Sequence, residues 1–335
     1  MLRTYTPIKH KIFDLHQRLT HLVCEVWCNA SNAHTCEQLI EVEFEAKYKK
    51  IKDLKPQIDE VYEQCKTLTL HERQDIRSAF ILNNCIQDLC NGTFKPVDLI
   101  SLNPVVETLM KPVLMRFYND LITSSSKLSY YNALIRKNKF TTCPCCSLSP
   151  IETAESHYVE DNDHYLPKAD YPFAVVNFRN LVPLCSKCNK KCKTTHSPFE
   201  DGRISFYPFD GSRPNINITV KIVSGSIDYT AVKENEIVIT FDNDGERVAT
   251  WNWLFKIETR YNEQIRSISR TELRLLRKRF RRNQIRKDGL TYEDIMNDLI
   301  DEYNDEQYED RKFLKIAFLE EMKNKPEWMA VYSAV

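Results

Sequence analysis

The chain has 335 residues with 47 basic and 47 acidic side chains, so net charge alone gives no sign of a nucleic-acid or acidic partner. Its length allows two or three modules, no run of 18 or more apolar residues suggests a membrane span, and the charged Lys9, Lys11 and Asp14 break up any signal-peptide core, so a reducing cytoplasm is the expected location. Twelve cysteines beside only six glycines argue against a disulfide-stapled secreted scaffold and for metal binding by the paired ones.

From Pro7 to Trp27, apolar residues recur at spacings of three and four, the pattern of an amphipathic helix, with His10, His16 and His21 off the stripe and expected in solvent. Further helices are predicted over Cys36 to Lys50 and Gln57 to Lys66. Thr69 followed by Glu72 reads as a capping box for a helix that stops at Asn91-Gly92. Two more helical patterns, Val105 to Ile122 and Leu128 to Lys137, are separated by Ser124-Ser125-Ser126. Residues 1–138 therefore form a helical module, in which Cys24, Cys28, Cys36, Cys65, Cys85 and Cys90 are expected as small core hydrophobes. The module carries no chemistry of its own and reads as a scaffold or docking bundle.

Residues 201–245 turn to β-branched alternation. Strands are predicted over Arg203 to Phe209, Ile216 to Val223, Ile227 to Val232 and Glu236 to Phe241, in a small antiparallel sheet. The D-N-D-G run from Asp242 lacks the closing glutamate of a calcium loop, since Trp253 stands at the twelfth position, and reads as a turn. Residues 246–335 return to helix. Twelve Lys or Arg against three Glu lie between Lys256 and Lys287, with Arg266, Arg270, Arg274, Lys278 and Arg282 at successive i+4 positions on one face. Asp288 to Asp310 then holds ten acidic residues and no basic one. Either the acidic block folds back on the basic helix, or the arginine face tracks a phosphate backbone through counterion release.

The segment between these parts, 139–200, carries the chemistry. Cys143 to Cys188 contains two C-x-x-C pairs, Cys143/Cys146 and Cys185/Cys188, separated by 38 residues. Four thiolates at this spacing close a tetrahedral zinc site with no open position, so the zinc is expected to be structural; Cys145 and Cys192 are spare and either could replace one of the four. The separation requires a folded insert, and that insert contains Asp163-His164, then Asn180-Leu181-Val182-Pro183-Leu184-Cys185, then Cys188-Asn189.

Over about 55 residues this segment resembles the HNH endonucleases, whose ββα-metal core sets a D-H dipeptide on its first strand. The resemblance implies that His164 is the general base, that Asp163 and Asn189 hold a catalytic Mg²⁺ or Mn²⁺, and that Asn180 braces the loop that orients the base. It departs from the pattern where Lys168 to Phe178, with Tyr171-Pro172, replaces the glycine pair many relatives carry. Lys193 also stands where a further histidine would follow Asn189. His157 reads as a half-exposed strand residue and His196 as solvated, while Lys187, Lys190, Lys191 and Lys193 are expected to hold phosphates.

The resulting expectation is an α+β chain: a helical N-terminal module, a central ββα-metal core with zinc knuckles, a small antiparallel sheet and C-terminal helices. Its function is expected to be metal-dependent cleavage of phosphodiester bonds in DNA. The layout looks like nucleases of bacterial anti-phage defence, including the Septu type that works beside an ATPase. A partner of that kind is implied because no G-x-x-x-x-G-K nucleotide loop occurs. Two other readings stay open: an RNA-cleaving version of the same site, and a non-catalytic zinc-stabilised module that binds nucleic acid or docks a partner.

Overall fold

In chain order, the apolar stripe of residues 7–27 folds as a short 3₁₀ turn Lys11–Phe13, the helix α1 (Asp14–His21) and a wider π-type continuation, Leu22–Trp27. The computed structural model describes residues 1–226, 232–242 and 245–334. His16 is not solvated: its ring stacks on Phe80 at 6.2 Å, and burial lowers its pKa to about 4. The predicted helix over Cys36 to Lys50 is two helices, α2 (Cys36–Leu39) and α3 (Val42–Tyr48), because Ile40 and Glu41 adopt extended backbone between them.

Helix α4 (Leu54–Thr67) buries Leu54, Ile58, Val61, Tyr62 and Cys65. Helix α5 (Leu70–Asn84) opens on the Thr69/Glu72 capping box, in which each side chain satisfies the other's backbone donor. Helix α6 (Ile86–Cys90) follows, and Gly92 then takes a positive φ of 74° that ends the run. Helix α7 (Lys111–Arg116) is flanked by π-type turns Val106–Met110 and Phe117–Leu121. Ser124 to Ser126 do not separate two helices as predicted. They form the first turn of α8 (Ser124–Asn138), because Thr123 Oγ1 accepts the Ser126 amide.

The described residues pack as two compact units. One comprises residues 3–140 and 151–212, so the helical module and most of the motif-bearing segment pack as a single body. The strands β1 (Asn162–His164) and β2 (Leu181–Pro183) pair antiparallel there, with Asp163 opposite Val182 and His164 opposite Leu181. Their loop is anchored by the helical module. Phe173 packs on Phe80 at 5.5 Å, Phe178 on Tyr130 at 5.0 Å, and the Asn84 amide donates to the Phe173 carbonyl at 3.1 Å. The buried cysteines of the helical module behave as core hydrophobes. Burial pushes the Cys24 thiol to about 11 and those of Cys28 and Cys65 to about 12, which keeps all three protonated.

Arg203 to Phe209, predicted as a strand, forms no sheet pair among the described residues. Its backbone bonds go elsewhere: the Ser205 amide donates to the Cys90 carbonyl at 3.0 Å, and Tyr165 Oη donates to the Phe206 carbonyl at 3.0 Å.

The second unit holds residues 1–2, 141–150 and 213–335. Two of the predicted strands, β3 (Asn217–Ile222) and β4 (Ile237–Asp242), pair antiparallel, from Asn217–Asp242 to Ile222–Ile237. The strand predicted over Ile227 to Val232 and the turn after Asp242 fall largely outside the described residues. Helix α9 (Gly245–Phe255) is cut from α10 (Ile257–Arg286) by Lys256, whose φ of 52° interrupts the helical run. The chain ends with α11 (Tyr292–Asn304), α12 (Lys312–Lys323) and α13 (Pro326–Ser333). A helical majority with two small antiparallel sheets gives the expected α+β class. No helix among the described residues is long and apolar enough to cross a membrane.

Candidate metal centre and active site

Cys143 and Cys146 sit on a tight turn in which the Cys143 amide donates to the Ser149 carbonyl at 2.9 Å and the Ser147 amide returns to the Cys143 carbonyl at 2.8 Å. Cys185 and Cys188 bracket the start of a seven-residue π-type helix, Lys187–Lys193. The Sγ atoms of all four are buried and lie within 4.8 Å of one another. Zn–S bonds of about 2.3 Å give a tetrahedral edge of about 3.8 Å, so the four thiols fit one zinc ion with little movement. Cys145 and Cys192 are buried as well but stand outside this cluster. The four buried cysteines therefore lie together and can hold a metal ion, with the membership that the spacing indicates.

Asp163 and His164 lie on β1, where alternation sends their side chains to opposite faces. Asp163 is 3% exposed. Its Oδ1 meets the Lys193 ammonium at 3.1 Å, and its Oδ2 is buried with no hydrogen-bond partner. Burial pushes the Asp163 carboxyl up, and the Lys193 charge acts against that shift. Lys193 also donates to the His164 carbonyl at 2.9 Å and is fully buried. The expectation that Lys193 holds a substrate phosphate is thus corrected: its ammonium is spent inside the fold, on β1. The π-type winding of Lys187–Lys193 carries this residue to the inner face, a registration that charge counting misses.

Breaking a buried pair costs more than never having formed it. Replacing Lys193 with methionine should lower unfolding free energy by about 3–5 kcal/mol in urea titration, and adding Asp163→Asn to that variant should recover most of the loss.

His164 is half-buried, and its Nε2 lies 3.1 Å from the Val175 carbonyl. A carbonyl only accepts, so Nε2 carries the proton and Nδ1 keeps a lone pair. Burial first, then the charge of Lys168, lowers its pKa to about 3 and holds the ring neutral. The ring of Tyr118 packs edge-on against it at 4.7 Å.

Asn180 is fully buried and ties the loop to β1 from both sides. Its Oδ1 accepts the Leu166 amide at 2.6 Å, while its Nδ2 donates to the Leu166 carbonyl at 3.0 Å and the Ala174 carbonyl at 3.3 Å. The Tyr171-Pro172 departure is accommodated by a 3₁₀ turn, Pro172–Ala174, that presents the Val175 carbonyl to His164. Asn189 is half-exposed, with its Nδ2 donating to the Asp161 carbonyl at 3.5 Å.

Around these residues Lys187, Lys190 and Lys191 are exposed, Lys190 being paired with Asp161 at 2.5 Å. His196 is exposed beside Glu200. His157 lies exposed in a loop rather than on a strand.

On α10, Arg270, Arg274, Lys278 and Arg282 are exposed, whereas Arg266 is half-buried and donates to the Val232 carbonyl at 3.3 Å. The acidic α11 does pack on α10, but through Phe280 against Tyr292 and through the buried Tyr303 hydroxyl, which donates to Glu272 at 2.6 Å. Among the described residues, Arg279–Glu302 at 2.9 Å is the one ion pair joining the two charge blocks. The arginine face is therefore left open.

No family model matches the chain, and no solved structure does. Over 59 residues, 18% of this chain, it is 48% identical to the Septu protein PtuB of Bacillus thuringiensis. The matched stretch spans only about a fifth of the length of that relative.

Proposed function

We propose that the chain is a metal-dependent HNH endonuclease that hydrolyses phosphodiester bonds in DNA, acting in bacterial anti-phage defence with a partner protein. The observation that carries this reading is the pairing of an oriented imidazole with a partnerless buried carboxylate oxygen on one short strand. His164 presents Nδ1 with Nε2 fixed by Val175, and Asp163 Oδ2 lacks any donor. A satisfied structural core would leave neither group in that state. The identity to Septu protein PtuB supports the defence context and the expectation of a defence-system partner; an ATPase is the kind of partner proposed, since the sequence holds no G-x-x-x-x-G-K loop.

In this reading His164 Nδ1 takes a proton from water as the water oxygen bonds to phosphorus and the ester oxygen leaves. Asp163 Oδ2 and the Asn189 amide oxygen are hard donors that suit Mg²⁺ or Mn²⁺, which when bound would neutralise charge on the scissile phosphate and the leaving oxygen. Lys193 helps keep Asp163 ionised although it is buried, and Asn180 holds the loop whose carbonyls set the His164 ring. Lys187, Lys190, Lys191 and the exposed residues of the α10 face supply sequence-independent attraction to the backbone.

The test is purified protein incubated with plasmid DNA, and separately with RNA, plus Mg²⁺ or Mn²⁺, beside His164→Ala. Metal-dependent nicking of DNA that the variant lacks is the expected result. Cutting confined to RNA would change the substrate, and no cutting with any metal or defence partner would leave a zinc-stabilised binding module.

A further inference from the structure

Two lysines outside the motif stand beside His164 with no carboxylate to answer them. Lys127, in the first turns of α8, holds its ammonium 4.5 Å from the centre of the Tyr118 ring. Lys168, four residues beyond His164, holds its own 5.0 Å from the same ring. Tyr118 in turn packs on the His164 imidazole. Among the described residues neither lysine forms a salt bridge. The nearby Asp161 acts on Lys127 only at a distance and is itself held by Lys190.

Both lysines are half-buried, and burial together with the Lys168 charge depresses the Lys127 pKa. A cation over an aromatic face is held only weakly, which is little against two like charges confined to one partly desolvated ring. An arrangement of this kind is completed by an anion. A tetrahedral phosphate is the class that suits two flexible ammonium groups, each acting as a point charge with three donors.

We propose that Lys127 and Lys168 form a phosphate-binding clamp, floored by Tyr118, that seats a nucleic-acid backbone phosphate beside His164. The role of the clamp in cleavage rests on the nuclease reading above, whereas phosphate binding at the clamp does not. Both clamp members are positioning residues that read no base. Tyr118 and Lys127 come from the helical module, so that part of the chain contributes to the site as well as supporting it.

The experiment measures binding of a fluorescent DNA duplex to the full chain carrying His164→Ala, without divalent ion, across a salt series. Lys127→Gln and Lys168→Gln should each weaken binding, and the two together should reduce the slope of log affinity against log salt by about 0.9, the contribution of one phosphate. Lys→Arg at either position should restore the slope, and melting temperatures should separate lost contacts from lost fold. Unchanged slopes in folded Gln variants would overturn the clamp and leave the lysines as packing on Tyr118.

The two proposals fail separately. A reduced slope in a chain that cuts nothing would keep the clamp and remove the nuclease. His164-dependent cutting with unchanged slopes would do the reverse.

Discussion

His164→Ala should lower the cleavage rate by about 10²–10⁴-fold while leaving the fold in place. The imidazole on β1 offers a neutral nitrogen lone pair, its tautomer fixed by the Val175 carbonyl. Removing it frees the carbonyl of a buried residue, a cost of about 1–3 kcal/mol, which a domain of ordinary stability survives. Single-turnover cleavage at saturating metal reads the chemical step, and unchanged melting reads the fold. Full activity in the variant would remove His164 as the base.

The same residue sets a pH signature. Its pKa in the free protein is lowered from 6.5 to about 3, so the neutral, proton-accepting form persists well below the range of an ordinary histidine. The acid limb of kcat/KM, which reports the free enzyme, should therefore fall below pH 6.5 rather than at it. Stability falls on the acid side as well, and from a higher pH. The unfolded chain takes up the proton from about 6.5 downward and the folded one does not, so stability is lost as pH drops toward the folded value. His16, lowered to about 4, adds to that loss.

Local chemistry in the sequence was enough for some of these features. The Thr69/Glu72 box, the strands β3 and β4 and the two C-x-x-C pairs follow from residue types at fixed spacings, while the pairing of those strands and the exclusion of Cys145 and Cys192 from the cluster come from the structure. Features that depend on where a side chain ends up after packing were not legible. Lys193 looked like one more surface lysine in a basic run, yet a widened helical turn buries it against Asp163. Arg203 to Phe209 alternates like a strand, but its backbone finds partners in the Cys90 carbonyl and the Tyr165 hydroxyl instead of a neighbouring strand. Tyr118 and Lys127 carried no motif, because what brings them to His164 is the packing of a helical module on a loop about forty residues further along the chain.

Loss of the cysteine-bound metal should have the largest effect on the protein. Structural zinc contributes about 10–16 kcal/mol of apparent binding free energy in small domains, comparable to or larger than the 5–15 kcal/mol that holds a typical domain folded. Cys188→Ser removes one of four buried thiolates and leaves three without their closing ligand, so metal content measured by mass spectrometry should fall from about one zinc per chain toward none. Protease resistance of residues 139–200 should be lost in parallel. Cys192→Ala, which alters a buried cysteine outside the cluster, should keep both.

A weak chelator separates the two proposed metals. Mg²⁺ held by one carboxylate and an amide should be stripped first, stopping cleavage with melting unchanged, because four thiolates hold zinc far more tightly than two oxygens hold a hard cation. If cleavage and protease resistance instead disappear together at every chelator concentration, and in the same proportion in Cys188→Ser, a single ion serves both the fold and the chemistry, and the division between cysteine site and Asp163 site is wrong.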